Sequence, residues 1–153
     1  MKENPKKEQF RDTMEEGELV KDGFLGEDER PVDEIIAADQ ALLAGAGFTA
    51  ERIGAAMRTL TRQGMAGMGE EVDAGEYLVK AEEYMGLIGC PFKDNHRAAK
   101  RNTTATRKST GRAMMWTDLG IHLIQKHGFF QGKGSPYRLE PLELAAFLGL
   151  EAE

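Results

Sequence analysis

Apolar residues recur every three to four positions through three successive stretches of this sequence and cease to do so after Gly89. That change of period limits the possible folds more than any other feature. Pro31 opens the first stretch, where Val32, Ile35, Ile36, Leu42, Leu43 and Ala46 share a face with one polar interruption at Asp39. Thr49, a residue suited to an N-cap, precedes the second, in which Ile53, Ala56, Met57 and Leu60 align before the glycine-rich GMAGMG. Asp73 heads the third, with Tyr77, Leu78, Ala81, Tyr84, Met85 and Ile88 on one side. Three helices packed on one another are expected, burying Ile35, Leu42, Ile53, Met57, Leu60, Leu78 and Met85. Ahead of them, Asn4-Pro5 followed by Phe10 and Met14 predicts a weakly held helical arm over residues 1–16.

Past Gly89 the signals are of another kind. Cys90-Pro91 breaks the helix, HRAAKR reads as a short helical turn, and the Thr-rich NTTATR is β-prone. KSTG is a turn and RAMMW a returning strand, which makes a hairpin. Thr117 then caps a short helix running through Lys126, with Gly128 as its C-terminal cap. After the loop QGKGSP and an extended YRL, Pro141 starts a last helix carrying Leu142, Leu144, Ala145, Phe147 and Leu148. The fold class expected is α+β and predominantly helical, with N-terminal helices packed together, then a small β-hairpin and short C-terminal helices. One globular domain spans 17–153, helical over 17–89 and hairpin–helix over 90–153; 153 residues with 41% hydrophobic content suffice for one core.

No apolar run approaches the roughly 20 residues of a membrane span, so no membrane partner is expected. The N-terminal MKENPKKEQF has basic residues but no apolar stretch behind them to act as a secretory signal. Cys90 is the only cysteine, so no intrachain disulfide can form, which fits a reducing, cytoplasmic setting. The net charge of −6 hides an asymmetry: residues 1–90 hold 10 Lys or Arg against 20 acids, while 91–112 hold seven against one. That basic stretch either serves an anionic partner or docks against the acidic part of its own fold.

All four of the chain's Cys and His residues fall between positions 90 and 127: Cys90, His96, His122 and His127. The pattern is C-x5-H, an insertion holding the hairpin, then H-x4-H at a helix end. Two ligands at a break and two at a helix end can converge on one Zn²⁺, which takes four tetrahedral N or S ligands in structural sites. Asp94 and Asp118 are candidates to orient the free ring nitrogens. Against this, the two helical histidines stand about 500° apart along an ideal helix, so they meet only if its last turn distorts. Other readings of the same residues are an inert buried thiol at Cys90, a solvated His96, His127 at a helix C-terminus favoured by the dipole, and an exposed His122. A small enzyme using the Cys/His cluster, with or without a metal, is the alternative, although no nucleophile motif surrounds Cys90. GKGS at 132–135 lacks the glycine and hydroxyl positions of a phosphate loop and reads as a flexible turn with Lys133 solvated.

The second functional signal is KDNHRAAKRNTTATRKSTGR, whose Lys93, Arg97, Lys100, Arg101, Arg107, Lys108 and Arg112 are suited to phosphate contacts with nucleic acid. The helices around AGAGFT, with Arg52, Arg58 and Arg62, loosely fit a helix-turn-helix, though the turn is long and the first helix acidic. Trp116, Phe129, Phe130 and Tyr137 are able to stack on bases, or to fill a core.

The segments CPFKDN, KRNTT, WTDLGIHLIQKHGFF and GKGSPYRLEP together resemble a family of small, uncharacterised bacterial cytosolic proteins, over roughly residues 17–150. The resemblance implies a bacterial, cytosolic, free-standing domain and assigns no role to any residue. The reading of the sequence is a binding or regulatory module with a structural zinc and a basic hairpin, whose partner is nucleic acid or another protein.

Overall fold

The computed structural model describes residues 23–153, so the arm expected over 1–16 lies outside them. The first two periodic stretches are helices. α1 (Val32–Ala46) starts behind Pro31 with Asp33 and Glu34 in its first turn, where the dipole favours acids, and ends on left-handed Gly47. α2 (Ala50–Met65) is capped by Thr49, whose hydroxyl accepts the Arg52 amide at 3.2 Å.

The third stretch is not a helix. It forms β1 (Val72–Ala74) and β2 (Tyr77–Gly89), joined through Gly75 at φ 71, with the Asp73 carboxylate accepting the Gly75 amide at 3.2 Å instead of capping a helix. Tyr77, Val79 and Ala81 alternate inward with period two, a pattern overlaid by the helical spacing of Leu78, Tyr84, Met85 and Ile88. Pairing with the Thr-rich β3 (Arg97–Arg107) decides the matter, because each strand satisfies the other's backbone. The expected helical turn at HRAAKR is therefore the start of β3. β4 (Ala113–Thr117) completes an antiparallel sheet in the order β1-β2-β3-β4.

The expectation of a predominantly helical fold with packed N-terminal helices is thus corrected. Four helices are found among the described residues, set against a four-stranded sheet. With no third helix to cover them, the apolar faces of α1 and α2 take different partners. α2 lies on β2 and on α3 (Asp118–His127), while α1 meets α4 (Pro141–Phe147). Ile35, Ile53, Met57 and Leu60 are buried as expected, but Leu42 is 49% exposed and Met85 95% exposed. From Glu83 to Gly89 β2 is exposed throughout. β1 pairs only with Tyr77–Val79, so among the described residues the outer edge of β2 carries no strand beyond that point.

The core has two parts. One gathers Ile53, Met57 and Leu60 of α2 with Val79, Ala105 and Trp116 of the sheet and Leu144 and Phe147 of α4. The other gathers Val32, Ile35 and Ile36 of α1 with Cys90, Phe92, Ala98 and Phe129. α3 feeds both, with Ile121 and Ile124 in the first and Leu119 and Leu123 in the second. Gly54 lets α2 and α3 approach closely, since a Cβ there would lie 2.6 Å from Gln125 Cβ.

Two buried polar groups are specific ties. Asp39, the interruption in the apolar face of α1, is bound by Arg138 through two hydrogen bonds of 2.9 Å. In the first core, Trp116 Nε1 donates to Thr61 Oγ1 at 2.9 Å, and Thr61 Oγ1 shares a 2.7 Å hydrogen bond with Thr103 Oγ1. Thr61→Val keeps the volume and strands the indole N–H without a partner, so a loss of about 1–3 kcal/mol is expected in urea unfolding. A loss below about 0.5 kcal/mol would show that the tie is not needed. GKGS is also not a free turn: the Gly132 amide donates to Phe24 O and the Glu27 amide to Lys133 O, so 131–135 is knitted to 24–28.

Candidate metal centre

Cys90 follows the last residue of β2 and opens the loop that turns the chain into β3. Its amide donates to His96 O at 2.9 Å and its carbonyl accepts the Lys93 amide at 3.0 Å, which closes the loop on itself. Lys93 and Asn95 adopt φ of 57° and 67°, a left-handed conformation that costs non-glycine residues about 1 kcal/mol and concentrates at functional positions. Asp94 lies between them. Its Oδ1 accepts the His96 amide at 3.0 Å, which leaves Oδ2 facing α3.

α3 delivers the histidines from its other side. Thr117 caps its start, accepting the Gly120 amide at 2.9 Å, and Gly128 at φ 63 ends it, with the amides of Gly128 and Phe129 closing on Ile124 O and Leu123 O. His127 Nε2 and His122 Nε2 reach the same Asp94 oxygen at 2.7 and 2.8 Å. Despite their angular separation along α3, the two imidazoles meet edge to face with centroids 5.3 Å apart. Phe92, stacked on His127 at 4.1 Å and set edge-on against Phe129, fixes one ring. Cys90 Sγ lies 3.7 Å from His127 Nε2.

Cys90, Asp94, His122 and His127 thus each offer one ligand atom, all within 4.8 Å of one another, and together they could hold a metal ion. Three of the four residues expected from the sequence converge here. The fourth, His96, is exposed and not in the group; its ring stacks on His122 with centroids 3.7 Å apart. Asp94, expected to orient a ligand, takes that place instead. It is the one acid within the basic stretch 91–112, four residues after Cys90, and that isolation was its signal in the sequence. Asp118 is not part of the group and pairs with Arg101. His122, one reading of which was an exposed residue, is buried.

Burial pushes the Cys90 thiol up to about 12, with the Asp94 carboxylate adding to the rise. The amides of Phe92 and Asp94 act in the opposite sense by donating toward the sulfur. Burial also works against ionisation of Asp94, but hydrogen bonds from the His96 amide, His127, His122 and Cys90 outweigh it and hold the carboxyl well below its usual range. His122 is lowered, first by burial, which favours the neutral imidazole against the pull of Asp94.

The basic stretch divides in two. Arg101 pairs with Asp118 and Glu83, Arg107 with Glu76, Lys108 with Asp73 and Arg112 with Glu143. Lys93, Arg97 and Lys100 are exposed and form no ion pair among the described residues. Of the helix-turn-helix arginines, Arg52 donates to Glu151 O and Arg58 to Gln125. Trp116, Phe129 and Phe130 are buried in the core, while Tyr137 is 46% exposed.

No helix of the described residues is long and apolar enough to cross a membrane. Comparison with protein-family models, curated proteins and solved structures gives no match to this chain.

Proposed function

We propose that this chain is a binding module in which one Zn²⁺, held by Cys90, Asp94, His122 and His127, pins the β2–β3 loop to the end of α3. The observation that carries the reading is the convergence of S, O and two N donors from segments some 30 residues apart on a region 4.8 Å across. The 3.7 Å between Cys90 Sγ and His127 Nε2 is close to the roughly 3.6 Å expected between two ligands of one tetrahedral zinc, whereas Asp94 Oδ2, hydrogen-bonded to His127 and His122 at 2.7 and 2.8 Å, would have to move out to roughly 3.4 Å from each as the ion replaces the shared protons. A thiolate and a carboxylate cancel the charge of the ion, which suits a largely buried site better than the net positive charge of a Cys-His-His-His set. Burial and the Asp94 carboxylate hold Cys90 as a thiol when no metal is bound, so zinc uptake has to release its proton, with the Phe92 and Asp94 amides easing that step.

Four protein donors fill the coordination shell, so the ion is structural and the reading is non-enzymatic. A buried, unpaired cysteine that binds metal as a thiolate fits a cytoplasmic setting. Elemental analysis of untagged protein tests the proposal. One equivalent of zinc is expected, retained in His96→Ala and lost in Asp94→Ala. Protein purified without a stoichiometric metal that also fails to take up added Zn²⁺ overturns it, as does loss in the His96 variant with retention in the Asp94 variant.

A further inference from the structure

We infer that the cleft between the β2–β3 hairpin and the segment after α3 is a site for a nucleobase carrying a phosphate. Its volume is about 260 Å³, below the roughly 300–1,000 Å³ of drug-sized sites, which suits one planar ring system. Tyr84 on β2 and Tyr137 after α3 stand at it, 53% and 46% exposed. Ile88 and Leu119 supply apolar wall, and Lys100 and Asn102 supply polar groups.

The chemistry of that lining is selective. Among the described residues no carboxylate lines the cleft, although the protein as a whole is acidic. The two tyrosine hydroxyls and the Asn102 side-chain amide have no hydrogen-bond partner among the described residues, and Lys100 has no ion pair. Tyr84 and Lys100 are direct cross-strand neighbours, so ring and cation lie side by side. Aromatic faces stack on a base, an amide can read its edge, and a cation beside them meets a phosphate. Lys93 and Arg97, at the tip of the same hairpin, extend the unpaired positive charge for neighbouring phosphates. An acidic peptide would satisfy the cations and leave the rings unused. No zinc ligand lines the cleft, so the inference stands or falls separately from the metal.

The test is titration of the full chain with labelled single-stranded dodecamers of T and of A, with the corresponding mononucleotides, and with poly-glutamate of matched charge. Oligonucleotide binding that weakens with salt is expected, reduced roughly 5- to 100-fold by Tyr84→Ala or Tyr137→Ala and largely kept in Tyr84→Phe. Lys100→Ala should lower the salt slope by about 0.7. Mononucleotide binding with the same tyrosine dependence identifies a free nucleotide as the source; binding of the dodecamers alone identifies a strand. Both tyrosines are about half exposed, so their variants should keep the wild-type unfolding midpoint. No binding of any nucleotide at about 25 mM salt, equal affinity for poly-glutamate, or indifference to both tyrosine variants overturns the site.

Discussion

Arg138→Ala is expected to remove about 3–5 kcal/mol of stability, because it leaves the Asp39 carboxylate buried without its cation. The Arg138 and Asp39 side chains are only 6% and 8% exposed. All five guanidinium N–H groups are used: two reach Asp39 at 2.9 Å, two reach Glu140 at 2.9 and 3.1 Å, and one reaches Gln131 O at 2.6 Å. Burial alone would disfavour the charge, and Asp39 and Glu140 more than offset it. Lysine cannot reproduce a planar five-donor fork, so Arg138→Lys should also lose most of the tie. At roughly 2–4 °C per kcal/mol for a domain of this size, the alanine variant should melt about 6–20 °C lower. Asp39→Leu combined with Arg138→Met should recover part of the loss, since an apolar pair avoids the stranded charge. A single-variant loss below about 1 kcal/mol would mean that the network is not what joins α1 to the segment before α4.

Removal of the zinc proposed for the Cys90, Asp94, His122 and His127 group should have an effect of similar size with a different footprint. At free zinc near a thousand times its dissociation constant the ion adds about 4 kcal/mol, so excess chelator should lower the midpoint by about 8–16 °C. The packing decides which elements depend on the ion. Cys90 and Phe92 share a core with Val32, Ile35 and Ile36 of α1, whereas α2 belongs to the other core. Hydrogen exchange on chelated protein should therefore show α1 and the Cys90–His96 loop losing protection first, with α2 and the Tyr77–Ala81 end of the sheet following only on global unfolding. Asp94→Ala should give the same footprint without chelator. Identical midpoints with and without chelator, or a uniform loss of protection, would contradict the site.

How far the sequence discloses this molecule depends on which forces act locally. α1, α2, α3 and α4 were legible because their caps and turns lie next to the residues they organise: Thr49, Thr117, Gly128 and Pro141 each act within a few positions. β2 was not, because Tyr84, Met85 and Ile88 satisfy a helical period by accident, and only pairing with a strand some 20 residues on reveals the alternation at Tyr77, Val79 and Ala81. Leu42 was misplaced for a related reason: the covering helix it would have met does not exist. At the candidate metal centre, Cys90, His122 and His127 stand out in the sequence because Cys and His are few in this chain and are common ligands of zinc. Asp94 was assigned a supporting part because carboxylates are common and usually solvated, and only the loop geometry aims its oxygen at His122 and His127.

The outer edge of β2, which carries no strand beyond Val79 among the described residues, also bears on how this protein behaves at high concentration. A strand edge without a neighbour among the described residues, beside the exposed Tyr84, Met85 and Leu87, is the kind of surface through which molecules zip into fibrils. Its ladder is interrupted between Tyr84 and Leu87, where Gly86 sits at φ 103. That kink puts the donors and acceptors out of step with any straight incoming strand, and the neighbouring Glu82 and Glu83 add charge that a dry interface between copies would have to bury. Gly86 thus works as a brake on strand-by-strand association along this edge.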